Sequence, residues 1–160
     1  VTCDSDGNFY VVTGKTNKTN NTETKTIFVS KYDANGKLLA SVGNNGSSSL
    51  AHYNGDSFYT QTPFDGGNCD IAVNGDYVAV NYARKMYSGH QSNSLFLVNR
   101  KTMQKESVER YYNSHSFAQR VVPWGEGFLL ASEGDCYDRA FTVSELKMPG
   151  YSGSVVKTKI

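Results

Sequence analysis

The residues best suited to chemistry are concentrated in three short stretches. The first is Asn81-Tyr82-Ala83-Arg84-Lys85-Met86-Tyr87-Ser88-Gly89-His90-Gln91-Ser92-Asn93. Here Tyr82 and Tyr87 offer flat faces to sugar C–H groups, while Arg84, His90 and Gln91 can read hydroxyls. The same residues also suit an ordered loop whose polar groups satisfy its own backbone. The second stretch is His115-Ser116-Phe117-Ala118-Gln119-Arg120. If it is extended, His115, Phe117 and Gln119 share one face, and Ser116, Ala118 and Arg120 share the other. The third, Glu133-Gly134-Asp135-Cys136-Tyr137-Asp138-Arg139, gathers carboxylates of the kind a Ca²⁺ ion needs. It lacks the Asp-x-Asp-x-Asp-Gly spacing of an EF-hand, and Arg139 can neutralise an acid instead. Together with Glu126, these acids could supply the two carboxylates of a glycosidase. No catalytic motif frames them.

Other reactive groups stay near background. The chain has no Gly-x-Ser-x-Gly elbow, phosphate loop, Cys-x-x-Cys or His-Glu-x-x-His. No cofactor motif is present either. Its 3 His are far apart in sequence, which argues against a metal trio. Its 3 Cys cannot form a complete internal disulfide framework. Cys136 lies beside acids that would raise its pKa and blunt it as a nucleophile.

The elements that must hold these residues are short strands. Cys3-Asp4-Ser5-Asp6-Gly7-Asn8-Phe9-Tyr10-Val11-Val12 is echoed by Cys69-Asp70-Ile71-Ala72-Val73-Asn74-Gly75-Asp76-Tyr77-Val78-Ala79-Val80. Each copy runs Cys-Asp, spacer, Gly turn, then an aromatic and β-branched strand. Cys3 and Cys69 are accordingly expected to be buried at equivalent strand starts. Each copy meets a further strand at residues 26–32 or 95–100, and the same sequence distance separates Gly7 from Val29 and Gly75 from Leu97. Asn35-Gly36 marks a tight hairpin into an outer strand at 38–42. Residues 15–25 read as a polar loop, and 51–53 with 57–60 as a short strand pair. The outer strand of the second copy is expected at 106–110. Strands at 116–122, 128–132 and 140–146, with a return near 154–158, form a third unit. The approximate units are 1–50, 51–112 and 113–160, and no long helix is expected. Such units cannot bury their own faces and must be stacked.

Strand, Gly turn, strand, loop, strand ending in Tyr-Asp, then Asn-Gly and a last strand resembles a blade of a β-propeller. The phrase Val29-Ser30-Lys31-Tyr32-Asp33-Ala34-Asn35-Gly36-Lys37-Leu38-Leu39 carries most of the likeness. It is similar to the third-to-fourth-strand hairpin of many bacterial propeller repeats. The Gly-His and Trp-Asp pair of WD40 blades is missing, as are the Kelch and pyrroloquinoline-type signatures. The likeness implies an all-β fold of about three blades, too few to close a ring of ~4–8. It therefore also implies part of a larger propeller, one closed by oligomerisation, or an open or sandwich-like stack. On an innermost strand, His115, Gln119 and Arg120 would line the channel where propellers hold ligands. A structural role, with Arg120 pairing an acid of a neighbouring blade, is the alternative.

Composition sets the remaining bounds. A net charge of +1 gives no reason to expect nucleic acid, and no apolar run is long enough to insert in a membrane. Without an initiator Met or a signal pattern, the chain is expected to be a mature product or a fragment. Sequons at Asn17, Asn20 and Asn45 permit glycosylation if a eukaryote secretes the chain, though chance accounts for as many in so Asn- and Thr-rich a sequence. The Asn/Ser/Thr/Tyr-rich, weakly charged composition points to an extracellular or cell-surface protein. The expected function is non-catalytic binding of carbohydrate or protein. A glycoside hydrolase or lyase fragment is the rival, and a structural repeat in an assembly or filament is a third reading.

Overall fold

The computed structural model describes residues 1–19, 21–46, 49–50, 59–109, 111–134, 140–148 and 154–159. They form an all-β protein of three antiparallel sheets, and no helix occurs among the described residues. The first sheet runs in chain order through β1 (Thr2–Cys3), β2 (Phe9–Gly14), β3 (Ile27–Tyr32) and β4 (Leu38–Asn44). A short β5 (Ser49–Leu50) and β6 (Thr60–Pro63) follow. The middle sheet contains β7 (Cys69–Asn74), β8 (Tyr77–Met86), β9 (Gln91–Asn99) and β10 (Gln104–Glu106). Its β8 is long enough to pair with β7 through Tyr77 to Tyr82 and with β6 from Arg84 to Met86. After β11 (Val108–Glu109), which pairs in parallel with β5, comes the third sheet. It is again a simple meander of β12 (Ser116–Trp124), β13 (Gly127–Gly134), β14 (Ala140–Leu146) and β15 (Ser154–Lys159). No closed sheet is formed among the described residues.

The middle sheet lies between the other two, and this explains its sequence. On one face Ile71, Val78, Val80, Tyr82, Phe96 and Val98 pack against Tyr10, Ile27 and Val29 of the first sheet. On the other, Ala72, Ala79, Leu95 and Leu97 meet Val121, Phe128, Leu130 and Leu146 of the third. A strand buried on both sides loses hydrophobic–polar alternation and becomes a continuous apolar run. Leu95-Phe96-Leu97-Val98 is that run. The equal spacing seen in sequence has structural content: Val29 pairs with Val12, Leu97 pairs with Ala79, and each pair faces the next sheet along the chain.

Two readings of the sequence are corrected. Cys3 and Cys69 are not equivalent. Cys3 ends the two-residue β1, is exposed and pairs with Phe9. Cys69 begins the six-residue β7, is half-buried and pairs with Tyr82 at the far end of its strand. Burial pushes the Cys69 thiol pKa up. The cause is strand length: β1 leaves no room for a Cys at its start. The outer strand of the middle sheet is also β10, not 106–110, because Val108 leaves the sheet to pair with Ser49. Of the strand pair expected at 51–53 and 57–60, only 59 and 60 are described, and Thr60 opens β6.

Antiparallel connections divide the molecule into two ends. At one end, tight turns join β1 to β2, β3 to β4, β7 to β8, β9 to β10 and β12 to β13. Arg100 stitches three of these turns together. Its Nη1 is 3.0 Å from Asp4 Oδ2 and 2.8 Å from Asp6 Oδ2, while its Nε donates to Gly75 O at 2.6 Å. Asn74 Nδ2 reaches across to Gly125 O and Gly127 O at 3.0 and 2.6 Å. At the opposite end lie the longer connections: residues 15–26, the β8–β9 hairpin, and the segment preceding β12.

Candidate functional site: a histidine–tyrosine cluster at the loop end

The stretch 81–93 is a β-hairpin, not a loop. Met86 N–H donates to His90 O at 2.8 Å and Gly89 N–H to Met86 O at 2.9 Å, with Gly89 at φ 85°. That turn chemistry projects His90 toward the segment before β12. His90 Nε2 lies 2.7 Å from Tyr112 Oη and 3.0 Å from Ser114 Oγ. Its ring stacks near Tyr112 at 6.3 Å and lies 4.8 Å from the ring of His115. Next to it, Gln91 Nε2 donates to Asp65 Oδ2 at 3.2 Å.

The backbone holding this cluster is unusual. His115 has φ 46° and Phe64 has φ 65°, a region costly for side-chain-bearing residues. Both are pinned by hydrogen bonds. His115 N–H donates to Gln91 O at 2.8 Å, and Phe64 N–H donates to Ala83 O at 2.7 Å. Gly66 and Gly67 allow the 64–68 turn to press on the hairpin. An added Cβ would fall 2.6 Å from Gln91 Nε2 at Gly66 and 2.4 Å from Phe117 O at Gly67. Asn68 then bridges to the third sheet, its Oδ1 accepting Gln119 N–H at 2.7 Å.

Beneath the cluster are polar layers that support it. Arg84 is fully buried, with Nε donating to Ser92 Oγ at 3.0 Å and Nη1 to Gly46 O at 3.1 Å. Burial lowers its pKa from the ordinary guanidinium value. Between the middle and third sheets, Tyr111 Oη bonds to Asn81 Oδ1 at 3.1 Å and Ser132 Oγ at 2.8 Å. Ser132 in turn donates to Gln119 Oε1 at 2.6 Å, and Asn113 N–H donates to Asn93 Oδ1 at 2.6 Å. Burial pushes the Tyr111 phenol up to about 12, against the opposing pull of its hydrogen bonds to Ser132, Asn93 and Asn81. A buried network satisfied in this way fixes geometry.

Of the residues singled out in sequence, His90, Gln91 and His115 are brought together. Tyr87 sits on the same hairpin but turns to residues 15–26, donating to Asn21 O at 3.1 Å and accepting from the Asn17 amide. Tyr82, Arg84 and Gln119 are fully buried and present no surface to a ligand. Their strands carry them into the interlayers, because β8 and the start of β12 are covered on that side. Arg120 is exposed, donating to Gln119 O at 2.8 Å, and stands apart from the cluster. Asp65, Tyr112 and Ser114 belong to the site and were not singled out, and Phe117, named only with the 115–120 stretch, presses on the 64–68 turn. Only the polar run ahead of β12 hinted at them.

The remaining candidates fall as follows. Asn17 is buried with its amide engaged, so a glycan there would displace structure; Asn45 is half-buried and donates to Thr22 O at 2.9 Å. Asn20 and residues 135–139 lie outside the described residues. Glu126 directly precedes β13 and Glu133 stands near its far end, about 23 Å apart at strand rise, beyond the carboxylate separation of a glycosidase. No group of three metal-ligating side chains occurs among the described residues. No described helix is long and apolar enough to cross a membrane. No protein-family model, curated protein or solved structure matches the chain.

Proposed function

We propose that this chain is a run of three β-propeller-type blades, extracellular or at the cell surface, that binds carbohydrate or protein without catalysis. The blade reading is supported by three meanders of like order whose first strands are neighbours, with β7 lying beside both β1 and β12. The binding reading rests on one observation: the His90–Tyr112–His115 cluster on strained, hydrogen-bonded backbone at the loop end. Strain held by surrounding structure marks positions kept for function. Aromatic and imidazole rings beside Gln91 and Asp65 combine stacking surface with donors and acceptors, as a hydroxyl-rich ligand requires. Carbohydrate is therefore favoured over protein.

A glycan array, followed by calorimetry on the best ligand, tests this reading. His90→Ala and His115→Gly should each weaken binding roughly tenfold or more while leaving the melting temperature near that of the parent. His115→Gly relieves the left-handed strain, so lost affinity with retained stability points to the ring. Unchanged affinity in both variants would refute the site, and turnover of a bound glycan would favour the hydrolase or lyase reading.

A further inference from the structure

At the turn end, opposite the histidine cluster, the β7–β8 and β12–β13 turns lie side by side under the two Asn74 hydrogen bonds. Each turn is tight because a glycine takes left-handed backbone: Gly75 at φ 52° and Gly125 at φ 53°. Among the described residues nothing lies within 4 Å of where either glycine would carry a Cβ, so both border open space there. That space is a groove of about 530 Å³, walled by Asp76, Tyr77, Glu126 and Met148. A second hollow of about 240 Å³ adjoins it, sharing Glu126 and Met148 and adding Trp124, Glu145 and Lys147.

We infer that this groove is a second binding site, for a neutral carbohydrate. Trp124 is 57 % exposed, although burying an indole is strongly favourable. It lines the smaller hollow, and Tyr77, partly packed on the core, lines the larger one, so each contributes ring surface on which sugar C–H groups can stack. Polar groups around it are close to charge balance. Asp76 is 2.8 Å from Lys101, and Glu145 is 3.7 Å from Lys147. A strongly cationic peptide would meet the lysines, and a polyanion would meet the carboxylates. Hydroxyls fit both, donating to Glu126 or Glu145 and accepting from Lys147. The site is independent of the loop-end cluster, which lies at the other ends of β8 and β13.

Trp124 is the chain's only tryptophan, so it reports on its own groove. The full chain is titrated with neutral hexasaccharides (cellohexaose, xylohexaose, mannohexaose) while its fluorescence is followed. A saturable change with at least one of them is expected, and Glu126→Gln should raise the half-saturation concentration roughly tenfold or more. Calorimetry should show the same loss for Trp124→Ala. His90→Ala should leave the fluorescence titration unchanged, which separates this site from the loop end. No saturable change with any hexasaccharide overturns the inference, as does parental binding by both groove variants. An equal response to oligolysine or oligoglutamate also overturns it, since the groove would then not select neutral ligands.

Discussion

Replacing Asp4 with Asn should cost about 2.5 kcal/mol of stability at pH 7 and almost nothing at pH 2. The Asp4 carboxylate is nearly inaccessible, its side chain 1 % exposed. Its Oδ1 accepts the N–H groups of Asp6 and Asn8 at 3.0 and 2.9 Å. Its Oδ2 accepts Tyr10 Oη at 2.8 Å and Arg100 Nη1 at 3.0 Å. Burial alone would raise its pKa. The bonds from Tyr10, Asn8 and Asp6 outweigh burial and hold it at about 2, below the ordinary 3.8. Tyr10, buried and bonded to that carboxylate, is pushed up to about 12. A native pKa below the unfolded one adds stability that is complete above about pH 4 and fades as pH falls toward 2. Asn resembles the protonated acid: it keeps the Oδ1 acceptor and places a donor where Oδ2 stood. For a chain of this size the loss at pH 7 corresponds to a melting temperature about 5–10 °C lower. Thermal melts of both proteins from pH 7 to pH 2 give the difference directly, with the other carboxylates cancelling. A gap that stays constant across that range, or a gap under ~2 °C at pH 7, refutes the assigned charge state.

Two further substitutions probe the interior. Tyr111→Phe strips the phenol from its bonds to Asn81 and Ser132 and should cost about 1–3 kcal/mol in urea unfolding, with an unchanged m-value. Thr26→Val should instead stabilise by about 1 kcal/mol, because Thr26 is fully buried and its hydroxyl finds no hydrogen-bond partner among the described residues. A destabilised Thr26→Val protein would show that the hydroxyl is satisfied after all.

Much of the fold was legible because its signals are local. A hairpin turn stands at Asn35-Gly36 as expected, though as a five-residue connection from Asp33 to Lys37 in which only Gly36, at φ 81°, takes left-handed backbone, and the strands of the third unit stand where pattern placed them. The candidate site was less legible, and for a physical reason. A polar residue is the same letter whether it meets water or a buried partner. Arg84, Gln119, Asn81 and Asn93 read as surface chemistry but are buried in the interlayers, bonded to Ser92, Ser132, Tyr111 and the backbone of Gly46, Arg120 and Asn113. Cys3-Asp4 and Cys69-Asp70 show the same limit. The Asp4 carboxylate closes a turn, while Asp70 Oδ2 accepts Val121 N–H at 3.0 Å and ties the middle sheet to the third. Identical dipeptides acquired different work because strand lengths around them differ.

The double coverage of the middle sheet bears on how the protein opens. Amides of β8 and β9 around Val80 and Phe96 can exchange with solvent deuterium only when a neighbouring sheet separates or the whole chain unfolds. The edge strand β4, by contrast, has exposed Leu38 and Leu39 and no further strand paired beyond it among the described residues. Protection should therefore rise from β4 inward and reach the global unfolding free energy in β8 and β9. Fragments cut near residues 50 or 112 would leave an interlayer bare, so the three sheets are expected to unfold together.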